Sequence, residues 1–203
     1  MFKIEDVFKI TLKGKGLLTI GSDFVVKLLY VVRHCEAEEQ SPHAKLTTEG
    51  ERQTKELVRF FERHKVDQVI SSPFVRALET AWPIADSQAL RVEQDSRLSE
   101  RILSSRDFED WLVKLEDSFL DVHVKYEGGE SSIEAMTRLC NVVDGLPEGS
   151  RTVLVTHGNL MALLMRCFDD RFGFEEWQAL TNPDVFVLRV TDSGTEVGRV
   201  WNG

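Results

Sequence analysis

Apolar positions along the chain switch repeatedly between two periodicities, short β-rich runs and longer stretches spaced for one face of a helix. Lys27–Val32 is the first β-rich run, of the kind found in buried parallel strands. Thr48 and Glu51 read as a T-x-x-E capping box opening a helix to about His64, with Leu57, Val58, Phe60 and Phe61 on its apolar side. Val66–Ser71 reads as a second strand, and Ser72-Pro73 as an N-cap and first-turn proline for a helix through Ala81 or just past Pro83. Leu90–Glu93 is a third strand. Asp95–Gly129 is polar and irregular around one helix near Phe108–Phe119. Ser131 and Glu134 make a further capping box, for a helix ending at Leu146-Pro147. Thr152–Thr156 reads as the central strand, followed by helices over Asn159–Phe168 and Phe174–Leu180. Val185–Val190 and Thr195–Trp201 close the chain as a hairpin turning at Asp192-Ser193-Gly194.

Strands alternating with helices predict an α/β fold, a three-layer sandwich with a mainly parallel central sheet. The first 24 residues stand outside the alternation. Phe2–Ile10 and Gly16–Gly21 flank a Lys-Gly-Lys-Gly turn, which predicts a short β-hairpin-like extension. The expected organisation is therefore an N-terminal extension over 1–24 without a catalytic part and a catalytic domain over 25–203.

Charge narrows the partners. A net charge of -9 argues against nucleic acid or an anionic membrane surface. No apolar run approaches the roughly 18 residues of a membrane span, and Met1–Gly21 carries no cleavable signal pattern. The cysteines, Cys35, Cys140 and Cys167, are widely spaced and fit a reducing compartment. The cytoplasm is the expected location, and a homodimer is left open.

Four segments follow strands directly, where a parallel sheet presents its ligands. They are Arg33-His34-Cys35-Glu36, Ser71 through Thr80 with Arg76 inside it, Arg97-Leu98-Ser99-Glu100-Arg101, and Thr156-His157-Gly158-Asn159. Taken singly, Arg33 and Arg76 read as surface arginines and His157 as a buried histidine bonded to backbone. Taken together, two histidines and two arginines at strand ends suit a dianion, because guanidiniums give charge-assisted, bidentate bonds to phosphate oxygens. Glu36, Glu100, Glu109 and Glu130 are all candidate acids. His43, His64 and His123 lack ligand spacing, so no metal site is expected.

These segments resemble the histidine phosphatase superfamily, which includes the cofactor-dependent phosphoglycerate mutases. The R-H-G-acidic motif stands as Arg33-His34-Cys35-Glu36, LT-x-x-G as Leu46 to Gly50, SSP-x-x-R-A-x-x-T-A as Ser71 to Ala81, G-E-S as Gly129 to Ser131, and the late H-G as His157-Gly158. The resemblance implies that His34 is a phosphoryl-accepting nucleophile. It also implies that Arg33, Arg76 and His157, as an imidazolium, bind the phosphoryl oxygens, and that Glu100 is the general acid, its pKa raised by burial. Gly158, Asn159 and Arg101 are further candidate substrate contacts. No metal and no cofactor are implied.

Two departures from the pattern matter. Cys35 stands in place of glycine and reads as a small buried residue or an oxidisable thiol. Between Arg33 and Leu46 the chain lacks the W-N and the longer loop with which the mutases hold phosphoglycerate, which points to water as the acceptor. The sequence is therefore read as a metal-independent phosphatase acting on a small phosphorylated substrate. The alternatives are a phosphoglycerate-type mutase and a catalytically silent phospholigand-binding member of the fold. The substrate determinants are expected within Asp95–Gly129, from Arg101, Arg106, Trp111 and Lys114.

Overall fold

The computed structural model describes residues 25–202; the expected N-terminal hairpin over 1–24 lies outside the described residues. The strands are β1 (Val25–Arg33), β2 (Gln68–Ser71), β3 (Val92–Gln94), β4 (Arg151–Thr156), β5 (Asp184–Thr191) and β6 (Thr195–Arg199). The helices are α1 (Thr48–Phe61), α2 (Val75–Ser87), α3 (Trp111–Leu120), α4 (Ser132–Gly145), α5 (Gly158–Arg166) and α6 (Phe174–Gln178). The strands form one sheet in the order β3-β2-β4-β1-β5-β6. Pairings from β3 to β1 are parallel, while β5 runs antiparallel to both β1 and β6. The expected mainly parallel sheet is present, with β4 inside it.

Alternation along each strand divides the core in two. Leu29 and Val31 of β1, Leu154 of β4 and Phe186 and Leu188 of β5 pack with α3, α4 and α5 on one face. Tyr30 and Val32, Val153 and Val155, and Val185 and Val187 pack with Leu57 and Phe61 of α1 and Ala77, Ala81 and Ile84 of α2 on the other. Successive side chains of a strand point to opposite faces, so strands apolar at every position need a helical layer on both sides. That requirement makes the three layers.

Of the three expected helix starts, that of α4 is present and those of α1 and α2 are displaced. The Ser131–Glu134 capping box is present. At α1 the cap is Thr47, one residue before the expected Thr48. The Thr47 Oγ1 accepts from Gly50 N at 3.0 Å, while its hydroxyl donates to the Glu36 carboxylate at 2.9 Å. With glycine at the third position there is no reciprocal carboxylate, and the Thr47 backbone N–H donates to Glu36 O at 3.1 Å instead. At α2 the expected Ser72-Pro73 start is displaced to Val75, and Pro83 sits inside the helix. Ser72 Oγ accepts from Phe74 N at 3.3 Å, just ahead of the helix, and also meets His157 Nε2 at 2.8 Å.

The loop after β1 is tied down closely. Ala37 bridges Leu46, and Glu38 N donates to Lys45 O at 3.0 Å. A Cβ on Gly50 would lie 2.1 Å from Glu36 O, so only glycine lets α1 press against this loop. Among the described residues no helix is long and apolar enough to cross a membrane.

Candidate active site

The carboxyl ends of the parallel strands gather the candidate residues. Arg33 ends β1 and is followed by His34; Arg76 is the second residue of α2, just after β2; His157 follows β4 and precedes α5. All three are deeply buried: His34 is 5% exposed, Arg76 1% and His157 0%. The two imidazoles meet edge-on with centroids 5.1 Å apart.

His34 is held at both ends. Its backbone N–H donates to Thr156 O at 3.0 Å, continuing the β1–β4 ladder. Its Nδ1 lies 2.7 Å from Cys35 O, which can only accept, so Nδ1 carries the proton and Nε2 the lone pair. Arg76 Nε donates to that Nε2 at 3.0 Å. Burial above all, with Arg76 and Arg33 nearby, lowers the His34 pKa to about 3, against the opposing pull of the Cys35 carbonyl. The ring is therefore neutral at physiological pH.

Arg76 is fixed by Nη1, which donates to Ser41 O at 2.7 Å and Gln40 O at 3.1 Å, and its guanidinium lies over the Phe74 ring at 5.0 Å. The acidic loop after His34 thus supplies backbone carbonyls to the site. Arg33 Nη1 donates to Leu180 O at 3.1 Å and Thr181 O at 3.4 Å. A Cβ on Gly158 would lie 3.0 Å from the Arg33 Cζ and Nε, so the glycine of the H-G pair leaves the space that the guanidinium fills. Burial lowers both arginine pKa values, yet guanidiniums keep their proton at any working pH.

His157 departs from expectation. Burial first, then His34, Arg76, Arg138 and Arg33, hold its pKa well below the usual histidine range. It is a neutral imidazole here, not the imidazolium the sequence suggested. Its Nε2 meets Ser72 Oγ at 2.8 Å, and its Nδ1 has no hydrogen-bond partner among the described residues.

Glu100 separates from its rivals. Its carboxylate sits at the N-terminus of α5, where Oε1 accepts from Arg101 N at 2.9 Å and Leu160 N at 3.1 Å, and Oε2 from Asn159 N at 3.2 Å. These donors and Arg33 favour the anion, but desolvation outweighs them and the pKa is raised. Glu36 is exposed and bonded to Thr47, Glu109 is exposed, and Glu130 pairs with Arg138 at 2.7 Å.

Arg101 is buried. Its Nε donates to Glu130 O at 2.8 Å and its Nη1 to Ser132 Oγ at 2.9 Å and Ser118 Oγ at 3.0 Å, tying the segment after β3 to α3 and α4. Its Nη2 has no partner among the described residues, and neither do Arg33 Nε and both amide atoms of Asn159. Buried polar groups without partners cost roughly 1–3 kcal/mol each, and those in Arg33, Arg101, His157 and Asn159 all belong to the predicted site. Of the other expected determinants, Arg106 pairs with exposed Glu127 and Lys114 with Asp110.

Cys35 is wholly buried, its thiol pushed up to about 12 chiefly by burial, so it stays a protonated thiol. Its backbone N–H donates to Thr80 Oγ1 at 3.0 Å. Sequence reasoning missed the supporting contacts: Ser72 on His157, the Leu180 and Thr181 carbonyls on Arg33, and Asn182 Nδ2, which donates to His34 O at 2.8 Å. Only the reversal of β5 brings Asn182 to this edge.

Comparison with known proteins agrees with this architecture. The sequence model of the histidine phosphatase superfamily (branch 1) matches residues 29–202. The chain is 30% identical over 157 residues to the probable phosphoglycerate mutase GpmB of Proteus mirabilis, covering 68% of this chain and 72% of that protein. Among solved structures, a mycobacterial glucosyl-3-phosphoglycerate phosphatase superposes with a TM-score of 0.68 at 22% identity, covering 87% of this chain and 98% of that one. A phosphoglycerate mutase from Bacillus anthracis superposes with a TM-score of 0.69 at 19% identity, covering 88% and 94%.

Proposed function

We propose that this chain, which belongs to the histidine phosphatase superfamily, hydrolyses phosphomonoesters through a phosphohistidine formed on His34. The observation that carries the reading is the His34 ring: Nδ1–H is committed to the Cys35 carbonyl, and the Nε2 lone pair faces a guanidinium. In the first step Nε2 attacks phosphorus as the P–O bond to the alcohol breaks, and protonated Glu100 gives its proton to the leaving oxygen. In the second step water attacks the phosphohistidine, its proton passes to the Glu100 carboxylate, and phosphate leaves with His34 restored. Arg33, Arg76 and His157 bind the phosphoryl oxygens, with Gly158 and Asn159 beside them. Fixed donors aimed at developing charge are the main protein contribution to phosphoryl transfer. The raised pKa of Glu100 suits a group that must be an acid in one step and a base in the next.

Hydrolysis is favoured over transfer to a second phosphoglycerate oxygen by the loop after His34. It is short, folds back on Leu46, and carries exposed Glu36, Glu38 and Glu39, which repel a carboxylate-bearing acceptor. The names of the relatives divide between mutase and phosphatase, so product analysis is the test. The enzyme is mixed with 3-phosphoglycerate and a trace of the bisphosphate. The expected result is no 2-phosphoglycerate, alongside release of inorganic phosphate from simple monoesters in EDTA. Rapid isomerisation without phosphate release would replace this reading with a mutase.

A further inference from the structure

A cleft of about 490 Å³ opens beside the candidate phosphoryl site. Part of the lining is polar: Arg33, Gln40, Glu100, Arg101, Gly158 and Asn159. The rest is apolar: Leu103, Trp111, Leu115 and Trp177. That volume falls within the roughly 300–1,000 Å³ of clefts that take drug-sized organic ligands.

The apolar wall is built in a definite way. Trp111 opens α3 and is 51% exposed; Trp177 lies on α6. Their rings meet edge-on, with centroids 6.4 Å apart and planes at 87°. Trp177 stacks on Phe174 at 5.4 Å, and Phe174 packs against Phe119 of α3 at 6.2 Å. Trp177 is thus buttressed from within the fold, while half of Trp111 is left to solvent. Large aromatic rings half-covered at a cleft bind apolar area at little entropic cost.

The polar side adds a second indication that a ligand belongs here. Asn159 is 8% exposed and Arg101 6%, yet both Asn159 amide atoms and Arg101 Nη2 lack partners among the described residues. Among the described residues Arg33 and Arg101 are the only cations of the lining, and Arg101 already spends three bonds on Glu130, Ser132 and Ser118. The wall therefore offers little to an alcohol bearing several anionic groups and much to an apolar one.

We infer that the substrate is a phosphomonoester of a bulky, ring-bearing apolar alcohol, whose ring packs on Trp111 and Trp177. The inference rests on the phosphomonoesterase reading above. Glu100 lines the same cleft, so an alcohol seated on the tryptophans places its oxygen on the side from which the acid acts.

The test compares 2-phenylethyl phosphate with ethyl phosphate, two primary-alcohol esters that differ in the ring. The wild-type kcat/KM should favour the phenylethyl ester by about thirty-fold or more, and Trp111→Ala should reduce that preference by about ten-fold. Leu112→Ala, exposed on the next position of α3 and outside the lining, should preserve it. The second arm uses 2-phenylethylphosphonate and ethylphosphonate, which cannot be hydrolysed, and reads binding by tryptophan fluorescence. Tighter binding of the phenylethyl compound, by about ten-fold or more, supports the inference even if neither ester is hydrolysed; that outcome removes the phosphatase reading alone. Equal affinity of the two phosphonates for the wild-type protein overturns the inference whatever the hydrolysis results.

Discussion

Arg76 donates its Nε–H directly to Nε2 of His34 across 3.0 Å. The ring's one lone pair is thus occupied by a guanidinium N–H, which must let go of Nε2 as that nitrogen attacks phosphorus. The contact keeps the ring neutral and oriented, and it sets an arginine donor where a phosphoryl oxygen must arrive. Arg76 can hold this position because Nη1 is anchored on the Gln40 and Ser41 carbonyls. The nucleophile, its clamp and the loop between them form one bonded unit.

Arg76→Ala removes a buried cation and the donor to His34. Charge-assisted bonds contribute about 1.5–3 kcal/mol each, so kcat/KM for a simple monoester should fall by about 10- to 100-fold or more. Arg52→Ala is the comparison. Arg52 is exposed and, among the described residues, pairs only with Glu49 and Glu56 on its own helix, where such pairs contribute at most a few tenths of a kcal/mol, so activity should hold. Similar small effects at both positions would show that the pocket lies elsewhere.

Gly158→Ala tests the packing of Arg33. The added Cβ comes within 3.0 Å of Cζ and Nε and 3.2 Å of Nη2, so the guanidinium must shift. Phosphoryl geometry tolerates little misplacement, and kcat/KM should drop by about ten-fold or more with little change in melting temperature. Unaltered kinetics would mean that Arg33 does not need this position.

Glu100 should govern the pH profile for poor leaving groups. Its pKa is raised, so the acid form persists above the usual carboxylate range and is lost as pH climbs through the elevated value. The rate of phosphoenzyme formation from an alkyl ester should therefore decline on the alkaline side, while an aryl ester with a good leaving group declines less. Glu100→Gln should slow that step more for the alkyl ester than for the aryl one. Rapid-quench measurement of both esters across pH decides it, and identical profiles would assign the proton to another group.

Stability should carry the signature of buried, neutral His34. Its folded pKa of about 3 lies below the value of about 6.5 for an unfolded histidine. Between those values the unfolded chain binds more protons, so stability falls as pH drops through 6.5 and the contribution is fully present above it. At about 1.4 kcal/mol per unit, the step from pH 6.5 to 5 costs about 2 kcal/mol from this residue. Urea unfolding at pH 7.5 and 5 should show the His34→Asn protein losing less stability than wild type by about that amount. Equal losses in the two proteins would contradict the burial argument.

What the sequence determined by itself is whatever a short window encodes. Short β-rich apolar runs encode the strands, the Ser131–Glu134 pair encodes the start of α4, and the motifs holding His34, Arg76 and His157 follow those strands directly. Tertiary structure decided what depends on how windows meet. Ser72 carries every local mark of a helix cap, yet its hydroxyl also meets His157, because β2 and β4 are neighbours and that bond is buried. Asn182 reaches the His34 carbonyl because β5 runs against the other strands and begins at the edge where they end. Glu100 stands out from Glu36, Glu109 and Glu130 only once α5 presents two backbone donors to it, beside that of Arg101. Trp111 and Trp177 share one cleft because α3 and α6 pack on the same face of the sheet. Strand order and direction are set by the summed burial of the whole chain, and no local pattern records them.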